Sequence, residues 1–544
     1  MHRLVELAGT LPGFLTYLAV LLGLGGLAAW EIVRGKGGRA FGWVVVLLLA
    51  SLTFRFGDDT GHHVYRIAVL AEQLRRGTPS LLVTNPVTGE TLPIFVYYSF
   101  VPYLPAVALD LVGFTAHVAF RLAMGLSLVV LALGLVRLIR LARGREAHAA
   151  FLAAILFLCS NYVYNLWLSR QAYAEIWVYC LIPWLTLTLI QTRALTPLVV
   201  LLFLQMTGHP LVFLQAFACS LLMALALSDE SPAALLRRYA GATVLAVLLA
   251  LPFWLPQALW QSLIQGPAAL PARFADTFLS FRELVDWRFL FGLGFALPIA
   301  VVLAVVLTRA RLSGRAWMLA AALLAAVAIQ TQPLRPLAER LPLLPTSLFV
   351  WRLMLPAALL AFVFLLVAWP SWPRRDAVLA ALALLSLASM GAMLVVRAPD
   401  GLQRLAGRAP DDTAWIRTYA ATETVWGRSE FLPNYRGLPQ RCGDAQAVSF
   451  GDLQRGIHVT SDYLSVRAAP LAGLEYSPNE ARVAPTACGK DLTLGPFRPG
   501  LMLQVNESKL TRILYARIAA LVLCATIAGL WFGLHRRAVT RLAA

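Results

Sequence analysis

Charge is what this 544-residue chain has least of. Charged residues make up 14% of it against 59% hydrophobic, with a mean hydropathy of +0.71. An ordinary soluble domain is about a quarter charged, so a string of soluble domains is excluded. The 15 Trp, 31 Pro and 37 Gly exclude a coiled coil or a low-complexity chain. Other absences narrow the chemistry. There is no Walker A sequence, no GxSxG, no HExxH and no glycine-rich dinucleotide turn, so soluble nucleotides are not obvious donors. No internal repeat and no duplicated halves of the transporter kind are visible. Residues 13–33 are too long for a cleavable signal peptide and lack its small-residue cleavage site. What remains is a polytopic membrane protein.

The net charge of +18 would suggest nucleic acid in a soluble protein. Here the 12 basic and 12 acidic side chains between Ala398 and Thr511 cancel, so the excess lies among the apolar runs. Cytoplasmic loops of membrane proteins carry such an excess, and nucleic acid is disfavoured as a partner. A membrane helix needs roughly 20 apolar residues. Thirteen spans are expected, near 13–33, 41–56, 117–140, 148–166, 175–191, 195–208, 210–228, 239–257, 288–308, 316–331, 350–370, 376–396 and 513–534.

Every second gap is short and basic, from Arg34, Lys36 and Arg39 to the tail Arg536, Arg537 and Arg541. The positive-inside rule puts those gaps and the C-terminus in the cytoplasm. Gaps 57–116, 167–174, 258–287, 332–349 and 397–512 then face outward, toward the periplasm or exterior of a bacterial cytoplasmic membrane. This alternation requires 95–112, with its Pro102 and Pro105, not to cross but to lie at the interface; a simple fourteenth span would break it. Residues 1–396 form the transmembrane domain, with a large first outer loop at 57–116. Residues 397–512 carry many turn signals between short alternating runs such as Gly456 to Thr460, and read as a small, mostly β outer domain. Residues 513–544 are the final helix and a basic tail. Cys442 and Cys488 are the only cysteines of the outer domain, and an oxidising compartment favours a disulfide between them.

Ionisable groups at a bilayer are costly, so their clusters are functional candidates. The densest is Gly57-Asp58-Asp59-Thr60-Gly61-His62-His63-Val64-Tyr65-Arg66. His63 and Arg66 share a helix face, and Asp58 and Asp59 lie near that helix's N-terminus, where the dipole favours carboxylates. A helix cap with a solvated face accounts for this cluster; proton transfer or metal binding is the alternative. A second cluster is Arg170 to Glu175, either a local ion pair or an arginine oriented toward an anionic headgroup. His209 precedes Pro210 and reads first as structural. Trp351-Arg352 opens a span, as an interfacial belt with a snorkelling arginine or as a phosphate-recognition pair. Glu283 and Asp286 have no motif around them. An outward site of carboxylates, arginines and an apolar groove suits a lipid-linked phosphate drawn from the membrane.

With these residues in place, the chain resembles the GT-C superfamily of integral-membrane glycosyltransferases. GDDTGHHVYRIAVLAEQLRRG followed by VYYSFVPYLPAV is similar to bacterial YfhO-like proteins, also labelled 6-pyruvoyl-tetrahydropterin synthase-related membrane proteins. Asp59, His63, Arg66 and the stretch Tyr98 to Tyr103 occupy the family's recurring places, as do Arg170 with Glu175, His209, and Trp351 with Arg352. The resemblance covers most of residues 40–370. It departs in an extra early span and in residues 398–511, which match nothing in that family. It implies transfer of a sugar from a polyprenyl-phosphate-linked donor to a glycan, lipid or protein acceptor at the outer face. Asp59 is then the first choice for general base and Asp58 the second. Arg170, Arg352 and Arg66 would hold the donor phosphate, with His62, His63, Glu175, His209, Tyr98 and Trp351 orienting them. Asp58, Asp59 and His63 permit a divalent cation (Mg or Mn) without requiring one. A carrier or flippase of a lipid-linked saccharide, or a scaffold in an envelope polysaccharide complex, would use the same features differently.

Overall fold

The computed structural model describes residues 11–406 apart from 56, 85–90, 144–147, 261–273, 275–276, 342–349 and 369–374. Beyond 406 it describes seven strands between 445 and 506 and the helix Ser508–Ala543.

All thirteen apolar runs contain helix, because a continuous apolar stretch in lipid must satisfy its own backbone hydrogen bonds. The number of crossings is corrected. Among the described residues, eight helices are long and apolar enough to span, or nine if the bent pair His148–Leu158 and Asn161–Arg170, broken by 55°, counts as one span. Gly37–Thr53, Leu195–Gly208, Ala296–Thr308 and Gly314–Ala328 are shorter apolar helices of 17, 14, 13 and 15 residues. At about 1.5 Å per residue they fall short of a hydrocarbon core about 30 Å thick. Residues 94–111 form a one-turn helix Ile94–Tyr97, a 3-10 turn Val101–Tyr103 and the helix Leu104–Leu111, none long enough to cross.

The mostly β outer domain is also corrected: among the described residues such a domain is not seen. Between residues 407 and 507 the described regular structure is strands of two to five residues, mostly below the usual strand length of about five or six. Turn signals mark where a chain reverses; they do not supply the apolar faces that pack strands into a core. Cys442 lies outside the described residues, and the Cys442–Cys488 pairing therefore does too.

The chain divides into two compact units. The first comprises 1–63, 117–247 and 271–410. Its interior is built on Met354–Ala368, apolar around its whole circumference and buried on nearly every residue, as such a helix must be. His148–Leu158 is almost as enclosed. A loop is latched onto this interior where the Asn161 amide donates to the Asp286 and Phe289 carbonyls at 2.8 and 3.0 Å. The second unit comprises 64–116, 248–270 and 411–544. Its buried side chains include Tyr65, Phe95, Tyr103 and Arg517. Arg75 pairs there with the Asp110 carboxylate.

Candidate functional site

Within the first unit, the site begins at a break in a helix. Asn161–Tyr164 runs into a π-helical turn, Asn165–Arg170, and ends at Gln171 with φ 57 and ψ 49. Gln171 is the only non-glycine at positive φ among the described residues, a conformation that persists only where surroundings enforce it. The enforcement is visible. The Gln171 side-chain oxygen accepts the Gly57 amide at 3.0 Å and the Thr60 hydroxyl. Turning the chain left-handed leaves the last carbonyls of the π turn without helical partners. Ser169 and Arg170 use theirs to accept the Asp58 and Asp59 amides at 3.0 and 2.8 Å. A Cβ on Gly57 would lie 2.6 Å from the Arg170 carbonyl oxygen, so only glycine allows this approach. The Asp58-Asp59 loop is thus seated by its backbone.

From Asp59 a chain of alternating charge leads inward. Arg170 Nη2 lies 2.9 Å from Asp59 Oδ2 and 3.3 Å from Glu175 Oε1. Glu175 Oε1 also accepts from Arg352, at 2.9 Å from Nε and 2.8 Å from Nη2. Exposure drops from the outer to the inner pair: the Asp59 side chain is 32% exposed and Arg170 18%, against 4% for Glu175 and 7% for Arg352. Two carboxylates and two guanidiniums balance, which is what lets charge sit this deep. Arg352 belongs to the turn Val350–Leu353 that opens Met354–Ala368, and its carbonyl accepts the Tyr179 hydroxyl at 2.8 Å. Tyr179 lies 3.3 Å from Gln215 Oε1.

Four buried polar atoms beside this chain have no hydrogen-bond partner among the described residues: Arg170 Nη1, Glu175 Oε2, the Tyr162 hydroxyl and Gln215 Nε2. Buried polar groups are nearly always paired, so such a set marks a place where a ligand or water belongs. The arrangement can do two things chemically. Asp59 is a carboxylate reachable from outside, and Arg170 keeps one edge of its fork free to donate.

His209 sits at the start of Pro210–Leu227, where its Nδ1 accepts the Val212 amide at 3.4 Å. Burial, then the Arg352 charge, hold its pKa down at about 3; it is neutral here. His63 lies under the same region, its Nε2 accepting the Tyr173 amide at 3.1 Å and its ring 5.9 Å from Phe120. The Trp351 ring lies 4.6 Å from that of Phe291, tilted by 51°. Asp58 is exposed, and His62 is half-buried.

The first unit therefore brings together Asp59, Arg170, Glu175 and Arg352, with His209 close enough to feel all but Asp59. Arg66 and Tyr98 belong to the second unit, where the Arg66 guanidinium lies 4.1 Å over the Tyr98 ring and 3.3 Å from the Tyr103 hydroxyl. A divalent cation does not fit Asp58, Asp59 and His63. The His63 Nε2 lone pair is taken by an amide, Asp59 faces a guanidinium, and no three His, Cys, Asp or Glu gather as a metal site among the described residues. Sequence reasoning missed Tyr162, Tyr179, Gln171 and Gln215. The run Asn161-Tyr-Val-Tyr-Asn165, polar inside an expected span, was the available signal.

No family model and no curated protein matches this chain. Among solved structures it is similar to the arabinofuranosyltransferase AftD from Mycobacteria, with a TM-score of 0.43 and 18% identity. The match covers 66% of this chain and 27% of that one, so the chain spans about a quarter of AftD's length.

Proposed function

We propose that this protein is a membrane glycosyltransferase that takes a sugar from a polyprenyl-phosphate-linked donor in the bilayer and transfers it to an acceptor hydroxyl. The reading rests on the sequence resemblance to GT-C enzymes and on one observation above all. The charge-balanced chain Asp59–Arg170–Glu175–Arg352 runs from a reachable carboxylate to a buried guanidinium, with Arg170 Nη1 unpaired beside it.

In this reading the Asp59 carboxylate takes the proton of the acceptor hydroxyl. Oδ2 is held by Arg170, which leaves Oδ1 for the proton. The acceptor oxygen then attacks the anomeric carbon from the face opposite the leaving group. The bond from that carbon to the phosphate oxygen breaks, its electron pair stays with the phosphate, and the anomeric configuration inverts. Arg170 Nη1 donates to the departing phosphate oxygen as its charge grows, and such donors contribute about 10²–10³ in rate. Glu175 holds both arginines in register, because one carboxylate oxygen receives both. His209, being neutral, adds no charge that would compete with them. The active face is the outer one, with the donor entering from the surrounding lipid.

Purified protein in vesicles loaded with a radiolabelled polyprenyl-phosphate sugar tests this. Label appearing on a glycan, lipid or protein acceptor, with free polyprenyl phosphate released, is the expected result. Label that crosses the bilayer with its glycosidic bond intact would instead make the protein a carrier.

A further inference from the structure

Arg517 lies inside the last candidate span, Lys509–Gly533, and its side chain is fully buried. Among the described residues no carboxylate pairs with it. All three of its nitrogens donate to backbone carbonyls of two distant segments. Nε donates to Pro252 at 2.9 Å, Nη1 to Phe95, and Nη2 to Val96 and Phe253 at 3.2 and 3.3 Å. The guanidinium also lies 5.1 Å over the Phe253 ring.

Three of these four carbonyls, those of Pro252, Phe95 and Val96, are ones the chain itself leaves without a helical donor. Pro256 has no N–H, so the Pro252 carbonyl four residues earlier loses its helical partner. The one-turn helix Ile94–Tyr97 has no following turn, so its last carbonyls are orphans as well. A guanidinium cannot shed its charge and is costly in hydrocarbon, while each orphan carbonyl carries a dipole that needs a donor. Arg517 resolves both, and in doing so ties the 94–97 turn to the proline break at 252. The residue after that turn is Tyr98, whose ring lies under the Arg66 guanidinium.

We propose that Arg517 is a positioning residue: from the final helix it clamps the 94–97 turn onto the Pro252 break and so fixes the Tyr98–Arg66 pair. The clamp itself follows from the geometry; its effect on ligand binding rests on the proposed function together with the donor-phosphate role that the family resemblance implies for Arg66. The test uses the full chain in nanodiscs, with Arg517→Met and Arg517→Lys. Hydrogen exchange reads the clamp directly. The amides of Phe95, Val96 and Tyr98 donate to Leu81, Pro93 and Ile94 carbonyls at 3.1, 3.0 and 2.8 Å, and Arg517→Met should speed their exchange by about tenfold. Arg517→Lys keeps the charge but has one point of donation, and should speed it less. The Asp58 and Asp59 amides should be unchanged in both. Unchanged exchange at 95–98 in either folded variant overturns the proposal, and the Arg517→Lys variant carries the test if Arg517→Met does not fold.

Kinetics read the consequence. Arg517→Lys should raise KM for the lipid-linked donor by about tenfold with kcat little altered. A fall in kcat at unchanged KM would overturn the positioning role even with altered exchange. A wild-type protein that transfers no sugar would sink the proposed function, while the exchange experiment would still decide the clamp.

Discussion

Arginine is buried in two opposite ways, and each unit supplies an example. In the first, Arg170 and Arg352 are set against carboxylates, Asp59 and Glu175. In the second, Arg517 is set against four backbone carbonyls. An ion pair can be re-made: an arriving phosphate competes with a carboxylate for the same fork, and a side chain can swing away. A carbonyl belongs to the main chain and cannot leave without unfolding its segment. Charge paired with charge is therefore suited to exchange with an anionic ligand, and charge paired with backbone is suited to holding shape.

The comparison is broken most severely at the carboxylate that both arginines share. Glu175→Gln leaves two buried guanidiniums with half their partners, and should lower stability by about 3–5 kcal/mol, read as a fall in unfolding temperature in detergent. It should take transfer activity with it. Arg170→Lys keeps the charge but cannot serve Asp59, Glu175 and a phosphate at once. Transfer should drop about 10²-fold with a smaller loss of stability. Gly57→Ala pushes a methyl into the Arg170 carbonyl and should cost about 1–3 kcal/mol, while loosening the Asp58-Asp59 loop.

The gentlest perturbation, read one pH unit at a time, concerns His209. Unfolded chain takes up a proton on His209 near 6.5, the folded chain only near 3. The unfolded state therefore binds more protons between those values. Stability is full above that window and falls as pH drops through it, by at most about 1.4 kcal/mol per unit. His209→Asn keeps a cap for Pro210–Leu227 and should flatten that slope in unfolding temperature measured against pH.

Much of the helical architecture was legible, because thirteen apolar runs are written directly in residue types. Their number as spans was not. A hydropathy run counts residues, while a span needs unbroken helical length, and the bend between Leu158 and Asn161 or the brevity of Ala296–Thr308 depends on packing. The Asp59, Arg170, Glu175 and Arg352 set was legible because each is a charge where charge is costly. Gln171, Tyr162 and Gln215 were not: each is unremarkable alone, and their meaning lies in neighbours far along the chain or on another helix. Arg517 was hidden for the opposite reason, since an apolar run of this length tolerates a single arginine. The turn-rich stretch at 398–511 promised a β domain because turns are local and a sheet core is not.

The measurement that most directly decides whether the charged chain is a reactive centre or a buried strut is Asp59→Asn, assayed in vesicles holding the labelled lipid-linked sugar and melted in parallel. Asp59 is the most exposed member of the chain. The account predicts that transfer falls about 10³-fold while the unfolding temperature moves by no more than about 2 °C. Undiminished transfer, or a melting point that collapses together with activity, would contradict it.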